Sequence, residues 1–291
     1  MHESSLRRAV RRYSPFWVGR SLRAVYYWPS DVLDTVLRRR DLAMPGRGEA
    51  AFVGDGDFAG MGRRFLDHFV RLGHLESHHR VLDVGCGIGR MALPLTGFLG
   101  PDGEYWGFDP VPKGIEWCRQ HITSRFPRFH FDVADVWSKS YNRRGKTLAR
   151  DYVFPYADAS FDFVFATSVF THVVPADLEN YVANIARVLR PQGTCFASYF
   201  LLNDTSRSCD AARDFCYPVD SNGACMAVSR VEFEKAVAFD EQFIRDVYRR
   251  SGLTIEEPVR HGRWVGGAGG PAFQDIIIAR SRAVNEPSSL G

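Results

Sequence analysis

Residues 81–90 read VLDVGCGIGR, and this stretch predicts a buried strand that runs into a tight turn and then a helix. The strand part is apolar except for Asp83, and glycines follow at the alternating positions 85, 87 and 89. Glycine lets the backbone take positive φ and lets a ligand approach without a Cβ in the way. A carboxylate at the end of an apolar strand is costly unless a partner satisfies it. The stretch therefore predicts a ligand-binding loop.

Two kinds of ligand fit a glycine loop that follows a strand. A dinucleotide-binding loop has the spacing G-x-G-x-x-G and directs helix N–H groups at a pyrophosphate. Here the spacing is G-x-G-x-G, and Asp83 would place negative charge close to that phosphate. Because a carboxylate suits a cation better, the loop favours a positively charged ligand.

The composition is that of a globular protein. The 291 residues are 45% hydrophobic and 13% aromatic, and no apolar run approaches the ~20 residues of a membrane span. No secretory signal is evident. The six cysteines have neither the spacing of a disulfide framework nor a C-x-x-C pair. We therefore expect reduced thiols and a cytoplasmic location.

Basic residues are concentrated in the N-terminal segment. Residues 1–47 hold ten arginines against four acids, while the whole chain has a net charge of +3. Two helical patterns between residues 4 and 40 flank an aromatic cluster, made of Phe16, Trp17, Tyr26, Tyr27 and Trp28. We expect residues 1–75 to form an N-terminal helical extension whose first part closes as a lid over the main domain. Contact of residues 1–47 with a membrane surface is the alternative.

Strands and helices alternate along residues 76–282, which we take as the main domain, and residues 283–291 as a disordered tail. Strands are predicted near 80–84, 104–109, 128–133, 160–166, 193–200, 253–260 and 273–280. Helices are predicted near 58–72, 90–99, 113–125, 177–189, 230–237 and 240–251. The alternation favours an α/β fold with a doubly wound parallel sheet. The last two strands have no room for a helix between them, so they should form an antiparallel hairpin.

Candidate site residues follow the ends of the strands, because ligands bind beyond the carboxyl ends of such a sheet. Asp109 ends the second strand, 20 residues after Gly89, and can accept hydrogen bonds from two ribose hydroxyls. An exposed turn aspartate is the alternative. Asp135 follows the third strand and could accept from an adenine amine, unless Asp132 is the ligand and Asp135 a turn residue. The fourth strand delivers a further group to the cleft, namely Thr167, Ser168, Thr171 and His172.

Residues 80–200 resemble the class I, Rossmann-like, S-adenosylmethionine-dependent methyltransferases. The similarity rests on LDVGCGIGR, the acid in GFDP, SFDFVFATSVFTH and ARVLRPQG, which occur in the order expected for that family. YN-x-x-G from Tyr141 and FPYAD resemble a bacterial small-molecule subgroup. The resemblance implies a seven-stranded, mostly parallel sheet with an antiparallel last strand. It also implies a cofactor site in which Asp83, Gly85 and Gly87 hold the amino-acid end, Asp109 the ribose and Asp135 with Val136 the adenine, with Pro110 and Thr167 beside them.

The resemblance implies in-line transfer of a sulfonium methyl group. His172 is our candidate general base, since its pKa is near neutral; a capping or supporting role is the alternative. No metal site is expected, because Thr167 and Ser168 stand where magnesium-dependent relatives need an acid. Histidines 74, 78 and 79 are interpreted as surface residues.

We predict a methyltransferase that acts on a small molecule or glycoconjugate, with oxygen as the acceptor atom. Two other classes stay open. The basic N-terminal segment could serve an enzyme that modifies RNA or DNA, although no nucleic-acid-binding module is recognisable and no nucleic-acid partner is expected. The fold could also serve as a non-catalytic scaffold or sensor. The sequence does not identify the acceptor or the oligomeric state.

Overall fold

A computed structural model describes residues 45–46, 57–266 and 270–282. The predicted lid in residues 1–47 lies outside these residues except for 45–46, and the predicted tail at 283–291 lies outside them altogether. Among the described residues, no helix is both long and apolar enough to cross a bilayer.

A seven-stranded sheet forms the centre of the fold, as predicted. Its strands are β1 (Arg80–Val84), β2 (Glu104–Asp109), β3 (Phe129–Val133), β4 (Phe161–Ala166), β5 (Leu189–Tyr199), β10 (Leu253–Ile255) and β11 (Asp275–Ser281). The order across the sheet is β10-β11-β5-β4-β1-β2-β3. β1 lies between β2 and β4 and pairs with both in parallel. The carboxyl ends of these three strands therefore meet at one edge.

The last strand runs against the others, which confirms the predicted hairpin. β11 pairs antiparallel with β5 on one side and with β10 on the other. Asp275, the first residue of β11, lies opposite Tyr199, the last residue of β5. The reversal therefore brings the amino end of β11 to the edge where the parallel strands end.

Helices cover the sheet: α1 (Phe58–Arg71), α2 (Ala92–Leu95), α3 (Pro112–Cys118), α4 (Pro175–Val188), α5 (Asp204–Arg207) and α6 (Glu241–Arg250). α1 begins where the sequence predicts, because the Asp57 side chain caps it and accepts from Gly60 N at 2.8 Å. α3 continues as a π-helical turn, Arg119–Thr123. α2 is much shorter than the helix predicted near 90–99.

The buried face of α1 packs directly on the sheet. The ring centroid of Phe69 lies 4.5 Å from that of Phe165 and 4.9 Å from that of Phe196. Burying a phenylalanine side chain is worth roughly 1.5–3 kcal/mol, so this contact ties α1 to the strands. α1 thus shares a core with the sheet, and the domain boundary at residue 75 stays a prediction.

The region between β5 and α6 differs from the prediction. It holds a second, four-stranded sheet in the order β6-β9-β8-β7, made of β6 (Leu201–Leu202), β7 (Tyr217–Pro218), β8 (Cys225–Ala227) and β9 (Val237–Asp240). The helix predicted near 230–237 is wrong: only a 3-10 turn, Phe233–Lys235, forms there before β9. β9 begins only at Val237 and lies between β6 and β8. In the turn before it, Glu234 accepts hydrogen bonds from Ser138 Oγ, Lys139 N and Ser140 N of a distant segment.

Candidate functional site

The glycine loop turns sharply at the carboxyl end of β1. Gly85, Gly87 and Gly89 have φ values of 76°, 59° and 76°, a region that side chains with a Cβ rarely adopt. Phe108 O, from β2, accepts hydrogen bonds from Gly85 N at 2.9 Å and Cys86 N at 3.0 Å. A Cβ on Gly85 would come 2.5 Å from Cγ2 of Val169. Both the conformation and the space therefore require glycine at position 85.

Asp83 is a buried carboxyl group beside this loop, with a side chain only 1% exposed. Its Oδ2 accepts a hydrogen bond from Tyr105 Oη at 2.7 Å. Its Oδ1 is buried and has no hydrogen-bond partner among the described residues. Burial raises the pKa of Asp83 to about 8, with the Tyr105 hydrogen bond opposing and the nearby Asp109 adding to the rise. An orphaned buried oxygen of this kind fits a ligand that carries a hydrogen-bond donor and a positive charge.

Asp109 tethers the glycine loop to the end of β2. It is 8% exposed, so the alternative of an exposed turn aspartate is wrong. Its Oδ2 accepts from Gly87 N at 3.0 Å and its Oδ1 from Val111 N at 2.9 Å. A carboxylate has about four lone-pair sites. Asp109 can therefore hold the loop and still accept further hydrogen bonds.

A cavity of about 270 Å³ opens beside the loop. One side, which we name the glycine wall, consists of Asp83, Gly85, Cys86 and Gly87. Another side, which we name the hairpin wall, comes from the loop between β10 and β11 and consists of Arg263 and residues 271–274. Thr167 and Ser168 line the cavity from the end of β4, and α1 with the residues after the glycine loop completes it through Met61, Arg64, Phe65, His68, Arg90 and Met91.

The structure thus brings four of the predicted cofactor residues to one cavity: Asp83, Gly85, Gly87 and Thr167. Asp109 does not line the cavity, but its side chain accepts a hydrogen bond from Gly87 N. The predicted adenine residues do not line this cavity. Asp135 is exposed and accepts from Lys146 N at 3.1 Å, while Val136 is buried and bridges to Thr147.

Pro110 and Asp132 also lie away from the cavity. Pro110 is partly buried directly after β2. Asp132, the alternative ligand, forms an ion pair with Arg119 at 3.4 Å. The predicted contacts of Pro110, Asp135 and Val136 with the adenine, and the alternative role of Asp132, stay predictions.

His172 is held in place away from this cavity. Its Nδ1 lies 2.8 Å from Glu234 O, and because a carbonyl oxygen only accepts, Nδ1 carries the proton of the neutral ring. Burial lowers the pKa of His172 below its usual value, and the Glu234 carbonyl opposes this. The ring is therefore neutral near pH 7, with its lone pair on Nε2. This is the protonation state that a general base requires, while the contact with Glu234 equally serves a supporting role.

Glu76, His78 and His79 form a small group before β1. One potential ligand atom from each lies within 4.8 Å of the others, so His78 and His79 have a carboxylate, Glu76, beside them. Glu76 and His78 are exposed, and Glu76 N already donates to His79 Nδ1 at 3.2 Å.

The hairpin wall contains cavity residues that the sequence did not reveal as part of a site. Its fold depends on Asp275, which is 1% exposed and accepts from Gly262 N, Trp264 Nε1 and Leu201 N, each at 2.7 Å. These bonds hold the loop that carries Arg263 and Gln274. The sequence feature that could have identified these residues is the predicted reversal of the last strand, because it places the start of β11 at the site.

The comparisons with known proteins agree with this geometry. The profile of the family described as methyltransferase domain matches residues 82–197, which include the glycine loop, Asp109 and the end of β4. Residues 82–197 are therefore similar to a class I S-adenosylmethionine-dependent methyltransferase domain. The cofactor of the family is S-adenosyl-L-methionine.

Curated proteins similar to this chain include methyltransferases named after small molecules. The chain is 31% identical to the O-methyltransferase cnsE of Penicillium expansum over 42% of this chain and 38% of that protein. It is 25% identical to the 27-O-demethylrifamycin SV methyltransferase of Amycolatopsis mediterranei over 78% of this chain and 80% of that protein. The chain spans less than half the length of the first three curated relatives that it matches.

A solved structure shows the same fold. The PH0226 protein of Pyrococcus horikoshii superposes with a TM-score of 0.54 at 15% identity, covering 80% of this chain and 95% of that one. The residues of the cavity fit S-adenosylmethionine, since its ammonium group can donate to the unpartnered Oδ1 of Asp83. They would hold its amino-acid end along the glycine wall.

Proposed function

We propose that this protein is a methyltransferase that transfers a methyl group from S-adenosylmethionine to an oxygen atom of a small molecule or glycoconjugate. The observation that carries the proposal is the buried, half-satisfied carboxyl group of Asp83 beside a glycine loop that Asp109 tethers. The relatives named as O-methyltransferases support oxygen as the acceptor atom. Neither nucleic-acid modification nor a non-catalytic role gains support, and the basic segment that motivated the former lies outside the described residues.

Each part of the cofactor has candidate partners. Asp83 Oδ1 would accept from the ammonium group, and the backbone of Gly85 and Gly87 would pass close to the amino-acid end. Asp109 would accept from the ribose hydroxyls while keeping its bonds to the two backbone N–H groups. Pro110, Asp135 and Val136 would adjoin the adenine, and Thr167 would face the cofactor from the end of β4.

When bound, S-adenosylmethionine supplies a methyl group that its sulfonium sulfur already activates. The chain has to align the acceptor oxygen and keep water out, and alignment alone can supply roughly 7–11 kcal/mol. His172 would take the proton of an acceptor hydroxyl on Nε2, because Nδ1 is committed to Glu234 O. Cytoplasmic location remains our prediction.

Titration calorimetry with S-adenosylhomocysteine tests the cofactor site. We expect micromolar binding by the wild type and a loss of about tenfold or more in Asp109→Ala, because a charge-assisted hydrogen bond contributes roughly 1.5–3 kcal/mol. Asp210→Ala is the matched control, since that exposed acid pairs with Arg213 and does not line the cavity. Equal affinity in wild type and Asp109→Ala, or binding of NAD in place of S-adenosylhomocysteine, would contradict the proposal. Labelled cofactor and cell extract, followed by mass spectrometry, would then identify the acceptor.

A further inference from the structure

The hairpin wall presents a side-chain amide whose orientation is set by two hydroxyl groups. Gln274 Oε1 accepts hydrogen bonds from Ser198 Oγ at 2.7 Å and from Ser168 Oγ at 3.0 Å. Because Oε1 faces both hydroxyls, the Nε2 end of the amide lies on the side away from them. The Nε2 group makes no hydrogen bond to another described residue and keeps two N–H donors for a ligand, and Gln274 lines the cavity.

The two hydroxyls are themselves fixed in place. Ser198 is fully buried on β5, and its Oγ accepts from Ser168 N at 2.8 Å while it donates to Gln274. Ser168 has a φ of +59°, a left-handed conformation that costs a residue other than glycine about 1–2 kcal/mol. Such strain persists where surrounding bonds hold the residue, often at a binding site. We name Ser168, Ser198 and Gln274 the amide clamp.

Charge is unevenly distributed around the cavity. Among the described residues that line it, Asp83 is the only one with a carboxyl group, whereas arginines stand at positions 64, 90 and 263. Arg64 and Arg263 form no ion pair with a described residue, and both are exposed. The cavity thus offers one buried acid on the glycine wall and cations together with amide donors elsewhere. An α-amino acid has the complementary pattern, an ammonium group beside a carboxylate.

We propose that Gln274 and Arg263 bind the carboxylate of the cofactor's amino-acid moiety, with Ser168 and Ser198 as positioning residues that turn the Gln274 N–H groups toward it. This inference rests on the proposed function, since it needs S-adenosylmethionine in the cavity. It adds a specificity element: the hairpin wall would select for the charged amino-acid end, while Asp109 and its neighbours serve the nucleoside.

Two ligands separate these roles. S-adenosylhomocysteine carries the amino-acid end, whereas 5′-methylthioadenosine has the same nucleoside and thioether without it. The substitution Gln274→Glu keeps an oxygen for both serine hydroxyls but replaces the N–H donors with a negative charge. We expect calorimetry to show a loss of about tenfold or more in affinity for S-adenosylhomocysteine, with the affinity for 5′-methylthioadenosine unchanged within about twofold.

Two further variants test Arg263 and the amide clamp. Arg263→Gln removes a cation from an exposed side chain and should weaken S-adenosylhomocysteine several-fold without affecting folding. Ser198→Ala removes one of the two bonds to Gln274 Oε1 and should give a smaller loss that is again confined to S-adenosylhomocysteine. Gln242→Glu, which introduces the same charge at an exposed position of α6, is the control and should change neither affinity.

The outcomes are distinct. If Gln274→Glu weakens both ligands equally, or weakens neither, the assignment of Gln274 is overturned. The same holds if Arg263→Gln leaves the affinity for S-adenosylhomocysteine unchanged. If the wild type binds neither ligand, the proposed function itself fails. Thermal melting of each variant shows whether the fold is intact.

Discussion

The glycine wall and the hairpin wall line the same cavity but are built in opposite ways. In the glycine wall, a run of consecutive residues supplies both the turn and the acid, Asp83. In the hairpin wall, Gln274 receives hydrogen bonds from residues 76 and 106 positions away along the chain. The contrast shows that one ligand site can combine a local motif with a surface that exists only after the sheet has formed.

Breaking the glycine wall should have the largest effect. Gly85→Val adds a branched side chain where φ is +76° and a Cβ already approaches Val169 Cγ2 to 2.5 Å. We expect loss of detectable S-adenosylhomocysteine binding in calorimetry and a lower melting temperature. Gly223→Val is the matched control, because it has a similar φ of +70° with nothing within 4 Å of the added Cβ. Equal cofactor binding in Gly85→Val and wild type would show that the loop does not contact the ligand.

The substitution Asp83→Asn tests the acid of the glycine wall, because the contribution of Asp83 to ligand affinity should depend on pH. Because burial raises the pKa of Asp83 to about 8, the ammonium group of the ligand must displace a proton below that pH. The wild-type affinity should therefore rise by up to about tenfold per pH unit between pH 6 and 8, and then level off. Asp83→Asn should bind at least about tenfold more weakly at pH 8 and show a flat profile. A wild-type affinity independent of pH would contradict the role of Asp83.

The stability of Asp83→Asn serves as the internal check on that prediction. The raised pKa means that the folded state binds a proton which the unfolded state has released above its ordinary pKa of 3.8. The contribution of Asp83 to stability is therefore present at low pH and is lost as pH rises from about 4 to about 8, by up to ~1.4 kcal/mol per pH unit. The difference in the free energy of unfolding between Asp83→Asn and wild type should shift in favour of the variant over this range.

Removing the charge of Asp275 should have the smallest effect on ligand affinity of these substitutions. It should clearly lower the stability of the protein, because Asp275 anchors the hairpin wall. Asp275→Asn places an NH₂ group against at least one of the N–H donors from Gly262, Leu201 and Trp264. We expect a loss of about 1–3 kcal/mol in the free energy of unfolding and a loss of only a few-fold in S-adenosylhomocysteine affinity. Asp210→Asn, at an exposed surface ion pair, should stay within about 0.5 kcal/mol. Denaturant titration decides between them, and equal stability of the two variants would contradict the anchoring role.

The sequence alone determined the α/β class, the central strands and the glycine wall. These features are local, since an apolar run followed by closely spaced glycines is the pattern of a buried strand that ends in a turn with positive φ. The position of Asp109 could be predicted for the same reason. Its tether to Gly87 N could not, because that bond depends on how β2 lies beside β1.

Tertiary structure alone decided the second sheet and the hairpin wall. The segment near 230–237 forms no helix and instead leads into β9, which begins at Val237. Its Glu234 side chain binds residues 138–140, a contact that only the folded chain supplies. Gln274 looks like an ordinary strand-edge residue in the sequence. It becomes a cavity residue because β11 runs antiparallel to β5, which brings its amino end and the buried hydroxyl of Ser198 to the edge where the parallel strands end.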